Sequence, residues 1–363
     1  MKTRKIMKQL NKSTRSNLIT VGLLLIMYAV VQILISNGSM SNLLQGLLVP
    51  ICYYSILAVS LNLTVGILGE LSLGHAGFMC IGAFSGAFFS KVTVNSIGNS
   101  FVRFTLAILI GALSAALFGV LIGVVVLRLR GDYLAIVTLA FGEIIKNVIN
   151  VLYIGRDSRG LRFSMKDTVH LRLEKGGEVI VSGAKGITGT PNDTTFTIAL
   201  LLLIIIYLII ANLVNSRSGR AIMAIRDNRI AAESVGIDIT KFRILAFTVS
   251  AAMAGVAGVL YSHNISSLSA TPKNFGYNMS IMILVFVVLG GIGNLRGSIL
   301  AAIILTLLPE YLRFLQNYRM LIYAIVLIII MIFNWNPRCI AWRKKHSLKS
   351  VLQTFMNKRR KEA

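Results

Sequence analysis

Charge is scarce in this chain, and negative charge is scarcest of all. Of 363 residues, 14% are Asp, Glu, Lys or Arg and only 13 are acidic, whereas soluble domains carry about a quarter charged residues. So little polar material does not cover a globule of this size, which argues against a soluble enzyme. Cysteine is nearly absent. Cys52, Cys80 and Cys339 form no C-x-x-C pair and show no metal-ligand spacing, which excludes a disulfide-stapled secreted domain and leaves each thiol as a small hydrophobe. No G-x-x-x-x-G-K-[ST] occurs, so the chain does not cradle a nucleotide's phosphates by that route. No nucleophile, metal cluster or catalytic dyad stands out either, and no cofactor is expected in this chain.

Apolar residues, by contrast, make up 55% of the sequence, and 37 Lys and Arg give a net charge of +24. A nucleic-acid binder clusters its cations with aromatics on a folded polar surface; here the basic clusters flank apolar runs. The expected partner is therefore a lipid bilayer and not nucleic acid. A bilayer core about 30 Å thick needs roughly 20 apolar residues per helix. Ten segments qualify: 18–35, 43–66, 71–90, 104–127, 133–154, 196–214, 244–263, 277–292, 296–315 and 320–334. They predict an all-α polytopic membrane protein with about ten transmembrane helices. The third and fifth are interrupted by Ser72 and His75, and by Glu143 and Lys146.

Residues 1–17 read as a basic cytoplasmic tail, 18–334 as the transmembrane region and 335–363 as a second basic cytoplasmic tail. The first apolar run is longer than a signal-peptide core and lacks an A-x-A site, so it reads as an uncleaved anchor. With both termini inside, 24 of the 37 cations fall on the cytoplasmic side and 12 outside, with Lys146 left within a span. Seven of the outer ones lie in the single long loop 155–195, and long loops weigh little in the positive-inside rule. A multi-pass protein of a bacterial cytoplasmic (inner) membrane is expected. The cations of the C-terminal tail are suited to lie on anionic lipid.

The main hydrophilic break on the cytoplasmic side is 215–243. Asp227 or Asn228 can cap a short helix starting near Arg229, and Gly236 can end it in a left-handed turn. From the residues alone it reads equally as a handle for a cytoplasmic partner and as an ordinary solvated loop.

Four stretches carry a resemblance. Arg226-Asp227-Asn228-Arg229-Ile230-Ala231-Ala232-Glu233-Ser234-Val235-Gly236 resembles the ATPase-docking loop of ABC importer permeases. The others are Leu71-Ser72-Leu73-Gly74-His75-Ala76-Gly77-Phe78, the run from Leu127 to Leu139 around Arg130-Gly131-Asp132-Tyr133, and Leu289-Gly290-Gly291-Ile292-Gly293-Asn294-Leu295-Arg296-Gly297. Together, in order from about residue 45 to 333, they resemble the permeases of branched-chain amino acid ABC importers, of the LivM type. The resemblance implies two separate ATPase subunits, which bind ATP and Mg, docked through Arg226, Asp227, Ala231, Ala232, Glu233 and Gly236. It also implies a second, homologous permease subunit and an extracytoplasmic substrate-binding protein. Permeases for urea and short amides are closely similar. From the residues, the rival is an ion-coupled transporter acting alone, with Glu143 as a proton carrier.

Ionisable groups in spans are candidates for function. Glu143 and Lys146, three apart, share a helix face and can pair; they read as a structural ion pair or as part of the path. His75 lines the path or bonds neighbouring backbone. Asn62 and Ser72 are further candidates for touching substrate. Glycines 74, 77, 82, 86, 119 and 123 suit close helix packing. In the outer loop, Val169, Leu171 and Leu173 alternate with polar residues before Gly176-Gly177, Val179 and Val181, which predicts a small β-hairpin there.

Overall fold

The computed structural model describes residues 12–335, apart from 95, 127–128, 130, 158, 175–176 and 314–317. Most of the two basic tails, Cys339 included, therefore lies outside the described residues, although Lys12 already begins a helix. The helices are α1 (Lys12–Ser36), α2 (Asn42–Asn62), α3 (His75–Thr93), α4 (Ser100–Val126) and α5 (Asp132–Asn150). After the long connection 151–195 come α6 (Phe196–Asn215), α7 (Arg217–Asp227), α8 (Arg229–Ser234) and α9 (Ile239–Ser262). The series ends with α10 (Pro272–Phe275), α11 (Tyr277–Gly290), α12 (Leu295–Tyr311) and α13 (Arg319–Trp335).

Each of the ten expected spans falls on a helix, but among the described residues seven helical segments are long and apolar enough to cross a membrane: 17–36, 42–68, 75–93, 100–126, 196–215, 239–262 and 272–290. The other three differ for visible reasons. The apolar run of α5 is broken by Glu143 and Lys146, and α12 and α13 are only 17 residues each. The third span starts at His75 and not at 71, because 69–74 is not helical; a π-helical turn, Leu63–Leu68, continues α2 and ends at Gly69 in the left-handed region. The seventh span starts earlier than expected, where Asp238 caps α9 by accepting the Lys241 N–H at 3.0 Å.

The protein is not purely helical. Strands β1 (Tyr153–Asp157), β2 (Gly160–Ser164) and β3 (Glu178–Ser182) form an antiparallel sheet in the order β2-β1-β3, and β4 (Ile187–Thr188) pairs with β5 (Ser267–Leu268). The tight hairpin is β1–β2, pairing Tyr153 with Ser164 through Asp157 with Gly160, which corrects the expected one across Gly176-Gly177. Val169–Leu171 is a 3-10 turn and not a strand. Asp167 draws it into a turn by accepting the His170 N–H at 2.8 Å, a short polar residue competing with the ladder for backbone groups. Leu173 then folds back over Gly155 of β1, where an added Cβ would lie 2.8 Å from the leucine. Val179 and Val181 do belong to a strand, β3, but its partner is β1.

The chain divides into two units, 1–306 and 307–363. In the first, α9 is central, packed on α4, α3 and α2. Glycines permit the close crossing: a Cβ on Gly82 would lie 2.3 Å from the Gly255 carbonyl oxygen, so backbones meet where side chains would hold them apart. Connections in this unit gather into two groups. One holds 69–74, 216–238 and 291–294, tied by Arg226 Nη1 to the Gly66 carbonyl (2.9 Å) and by the Gly293 N–H to Asn62 Oδ1 (2.8 Å). The other holds the sheet and 263–272, tied by Asn150 to the Ala270 carbonyl (2.9 Å), Thr190 to the Ile265 carbonyl (2.6 Å) and the buried pair Arg103–Asp193 (2.9 Å). The second unit holds the end of α12 and α13, with Glu310 and Arg313 paired at 3.0 Å.

Candidate functional site

The segment between α6 and α9 is mostly helical, and short polar side chains set its joints. Ser216 caps α7 through the Gly219 N–H (3.1 Å), and Asn228, the single residue between α7 and α8, caps α8 through the Ala231 N–H (3.1 Å). Gly236, with φ at +82°, ends the turn while its N–H reaches the Glu233 carbonyl (3.0 Å) and the Ile237 N–H reaches Ala232 (3.1 Å). Only a residue without a Cβ takes that backbone cheaply. Asn228 is thus the cap of the two that sequence offered, and Gly236 the stop.

The six residues expected to form a docking loop divide by role. Ala232 is buried with Ile225 and Ile239 in a small core of its own. Arg226 turns inward: beside its bond to Gly66, its Nε and Nη2 both reach Asp227 Oδ1 (3.0 and 2.9 Å), and its stem covers Gly69. Ala231, Glu233 and Gly236 are exposed, as are Ile230 (81%) and Val235 (75%). The result is a short helix seated on a buried alanine and fixed at both ends, with an apolar and acidic outer face.

Beside it lies a cavity of about 330 Å³, walled by the 68–71 turn, the start of α5, and residues of α7, α8 and α9. Charges of both signs line it: Glu70, Asp132, Arg226, Arg229 and Arg243. Glu70 and Arg243 form a nearly buried ion pair. Burial pushes the Glu70 carboxyl above its ordinary value, with Arg243 and Arg229 only partly pulling it back. Sequence reasoning passed over Glu70, Asp132, Arg229 and Arg243 as site residues. Glu70, Asp132 and Arg243 sit at the ends of apolar runs, where a lone charge looks like a topology signal, Arg229 lies among the other charges of 215–243, and only the fold brings the four to one cavity.

The polar residues expected along a path are not gathered in one place. Asn62, fully buried, donates to Ser298 Oγ (2.7 Å) and accepts the Gly293 N–H, so both ends of its amide hold the 291–298 turn. His75 Nε2 meets the Ser60 hydroxyl at 2.7 Å, a side-chain partner in place of the backbone one expected. Ser72 is buried, its hydroxyl without a hydrogen-bond partner among the described residues. Glu143 and Lys146 form the expected pair, and Glu143 Oε1 also accepts the Tyr277 N–H at 2.8 Å. The carboxylate therefore satisfies an orphan amide where α11 begins, just past the break at Gly276. Ser280, which sequence reasoning missed, joins α11 to α3 by accepting the Ala76 N–H at 3.1 Å. Among the described residues no group of three His, Cys, Asp or Glu comes together as metal ligands would.

Comparison with known proteins fits this architecture. Residues 43–331 match the family described as branched-chain amino acid transport system / permease component. The chain is 37% identical over 294 residues, 78% of this chain and 67% of the relative, to the high-affinity branched-chain amino acid transport system permease protein LivM of Salmonella typhimurium. It is 36% identical, over the same shares, to LivM of Escherichia coli. An autoinducer 2 import system permease protein, LsrC of Yersinia pseudotuberculosis, is 29% identical over 188 residues, 47% of this chain and 53% of that one. No solved structure matches the chain. A match across most of the length, joined to seven helices among the described residues that are long and apolar enough to span a bilayer, identifies this chain as an integral membrane protein of the branched-chain amino acid transport permease family.

Proposed function

We propose that the chain is one permease subunit of an ATP-binding cassette importer in the cytoplasmic membrane, moving leucine, isoleucine and valine inward by alternating access. Ten helices cross the bilayer with both termini inside. Two separate ATPase subunits, which bind ATP and Mg, dock on 217–238; a homologous permease completes the path, and an external binding protein delivers substrate. The observation that carries the reading is α8: a buried Ala232 beneath, Ile230, Glu233 and Val235 exposed above, and Arg226 tying the unit to the π-helical end of α2. A push on α8 is thereby delivered to the end of a buried helix. Ser72, with its unpartnered buried hydroxyl, is the foremost path residue; Asn62, His75, Glu143 and Lys146 shape the path by holding the helices beside it.

A Glu233→Lys, Gly236→Pro double variant tests the docking. ATP-driven leucine uptake should fall at least tenfold while the chain still inserts in the membrane at normal levels. Unaltered uptake overturns the docking assignment. Uptake driven by a proton gradient through the purified chain alone would replace the whole reading with an ion-coupled carrier.

A further inference from the structure

The cavity beside α8 has a use that docking does not explain. Leu68, Leu71, Leu134 and Ile225 give it aliphatic wall. Of its five charges, three are engaged: Glu70 with Arg243, and Arg226 with Gly66 and Asp227. The remaining two, Asp132 and Arg229, have opposite signs and line the same space; among the described residues neither makes a side-chain hydrogen bond or close ion pair, Arg229 acting on Glu70 only through its charge. Asp132 is exposed and Arg229 half-buried, so both charges are open to an incoming ligand. A ligand that satisfies both must carry an anion and a cation close together, plus an apolar group for the leucines. About 330 Å³ is at the small end of small-molecule sites, roughly 300 to 1,000 Å³.

We propose that this cavity is an inner-face binding site for an aliphatic α-amino acid, with Arg229 taking the carboxylate, Asp132 the ammonium group, and the leucine wall the side chain. Arg229 is the first residue of α8 and Asp132 the first of α5. An occupant bridging them ties the docking helix to the membrane helix beside it. Given the transport direction and the docking role proposed above, on which this consequence rests, the ligand is the transported product. Its accumulation inside holds α8 in place and slows further uptake.

The binding claim is tested on the purified full-length chain in lipid nanodiscs, with radiolabelled L-leucine and no ATPase present. Saturable binding is expected, on the order of tenfold weaker in Asp132→Asn, as the loss of one charge-assisted contact implies. Leucinamide, without the carboxylate, and N-acetyl-leucine, without the ammonium group, should each compete at least tenfold less well than leucine. Absence of saturable binding, or equal affinity in Asp132→Asn and wild type, overturns the proposal. A Leu71→Trp variant, which fills the cavity without touching either charge, should also abolish binding; undiminished binding there counts against the site. The regulatory claim is read in right-side-out vesicles holding the complete importer and ATP. Preloading with leucine should lower the initial uptake rate several-fold in wild type and much less in Asp132→Asn. Vesicles that take up leucine when empty and ignore preloading overturn the regulation alone. Vesicles that take up none even when empty overturn the importer reading, while the nanodisc result still decides the site.

Discussion

The junction where α2 meets the 291–298 turn and the sheet that follows α5 solve the same problem in opposite ways. Both tie together chain that has left a helix. At the junction the ties are buried and made by single side chains: Asn62 alone holds Gly293 and Ser298. In the sheet they are numerous and wet. Arg159 pairs with Glu174 at 2.6 Å with 70% and 39% of the side chains exposed, and Leu161 and Phe163 lie open on β2, with Met165 just beyond it. A buried polar group without its partner costs its whole desolvation, whereas an exposed pair exchanges its partner for water. The two regions therefore differ in tolerance more than in kind. One cannot change without moving helices; the other can be remodelled while the helices stay.

Replacing Asn62 by Leu should have the largest effect. It strips the Gly293 N–H of its acceptor and leaves the Ser298 hydroxyl with the Asn294 carbonyl alone, at a cost of about 1 to 3 kcal/mol. Thermal unfolding of the detergent-solubilised chain should show a clear fall in midpoint, with loss of properly inserted protein in the membrane. If Asn62→Leu melts like wild type, the junction is not held as described and the contrast with the sheet collapses. Arg159→Ala in the sheet should change stability by no more than about 0.5 kcal/mol, seen as an unmoved midpoint in the same assay. A large drop there would mean that the sheet is structural.

That contrast also accounts for what could be read in the sequence. The membrane helices were legible because most are apolar runs of about the length a bilayer requires, and the start and end of α8 because Asn228 and Gly236 act within three residues of themselves; the Asp238 cap of α9 was passed over. The Asn62–Ser298 bond was not legible: its partners are 236 residues apart, and no spacing rule connects them. The Glu70–Arg243 pair and the cavity around it are hidden for the same reason. The expected hairpin failed on a local competition. Val169, Leu171 and Leu173 do alternate, but Asp167 takes the backbone of the next residues into a turn, and the strand register passes to Gly160–Ser164. The non-helical stretch 71–74, inside an expected span, was likewise invisible to a hydropathy count, which reads composition and not helix continuity.

The finest expected difference between the two regions is in the sign of their response to acid. Asp167, on the sheet's connection, is held below its ordinary value of 3.8 by the backbone N–H and side chain of His170. Glu70, beside the junction at the end of α2, is pushed above its ordinary value of 4.5 because burial outweighs the help of Arg243. A carboxyl lowered in the folded state lends stability that is present above its unfolded value and is lost as pH falls through the folded one. A raised carboxyl works the other way, since the folded state binds the proton more tightly, so its contribution grows as pH falls through the raised value toward 4.5. Carboxyl ¹³C shifts of the chain in nanodiscs, titrated downward from neutral pH, should therefore show Glu70 taking its proton first and Asp167 last. Below pH 3.8 the His170 amide should lose hydrogen-exchange protection in wild type, and Asp167→Asn should remove that pH dependence. If Asp167 protonates before Glu70, the junction is wetter than its burial implies, and the distinction between a dry junction and a wet sheet fails.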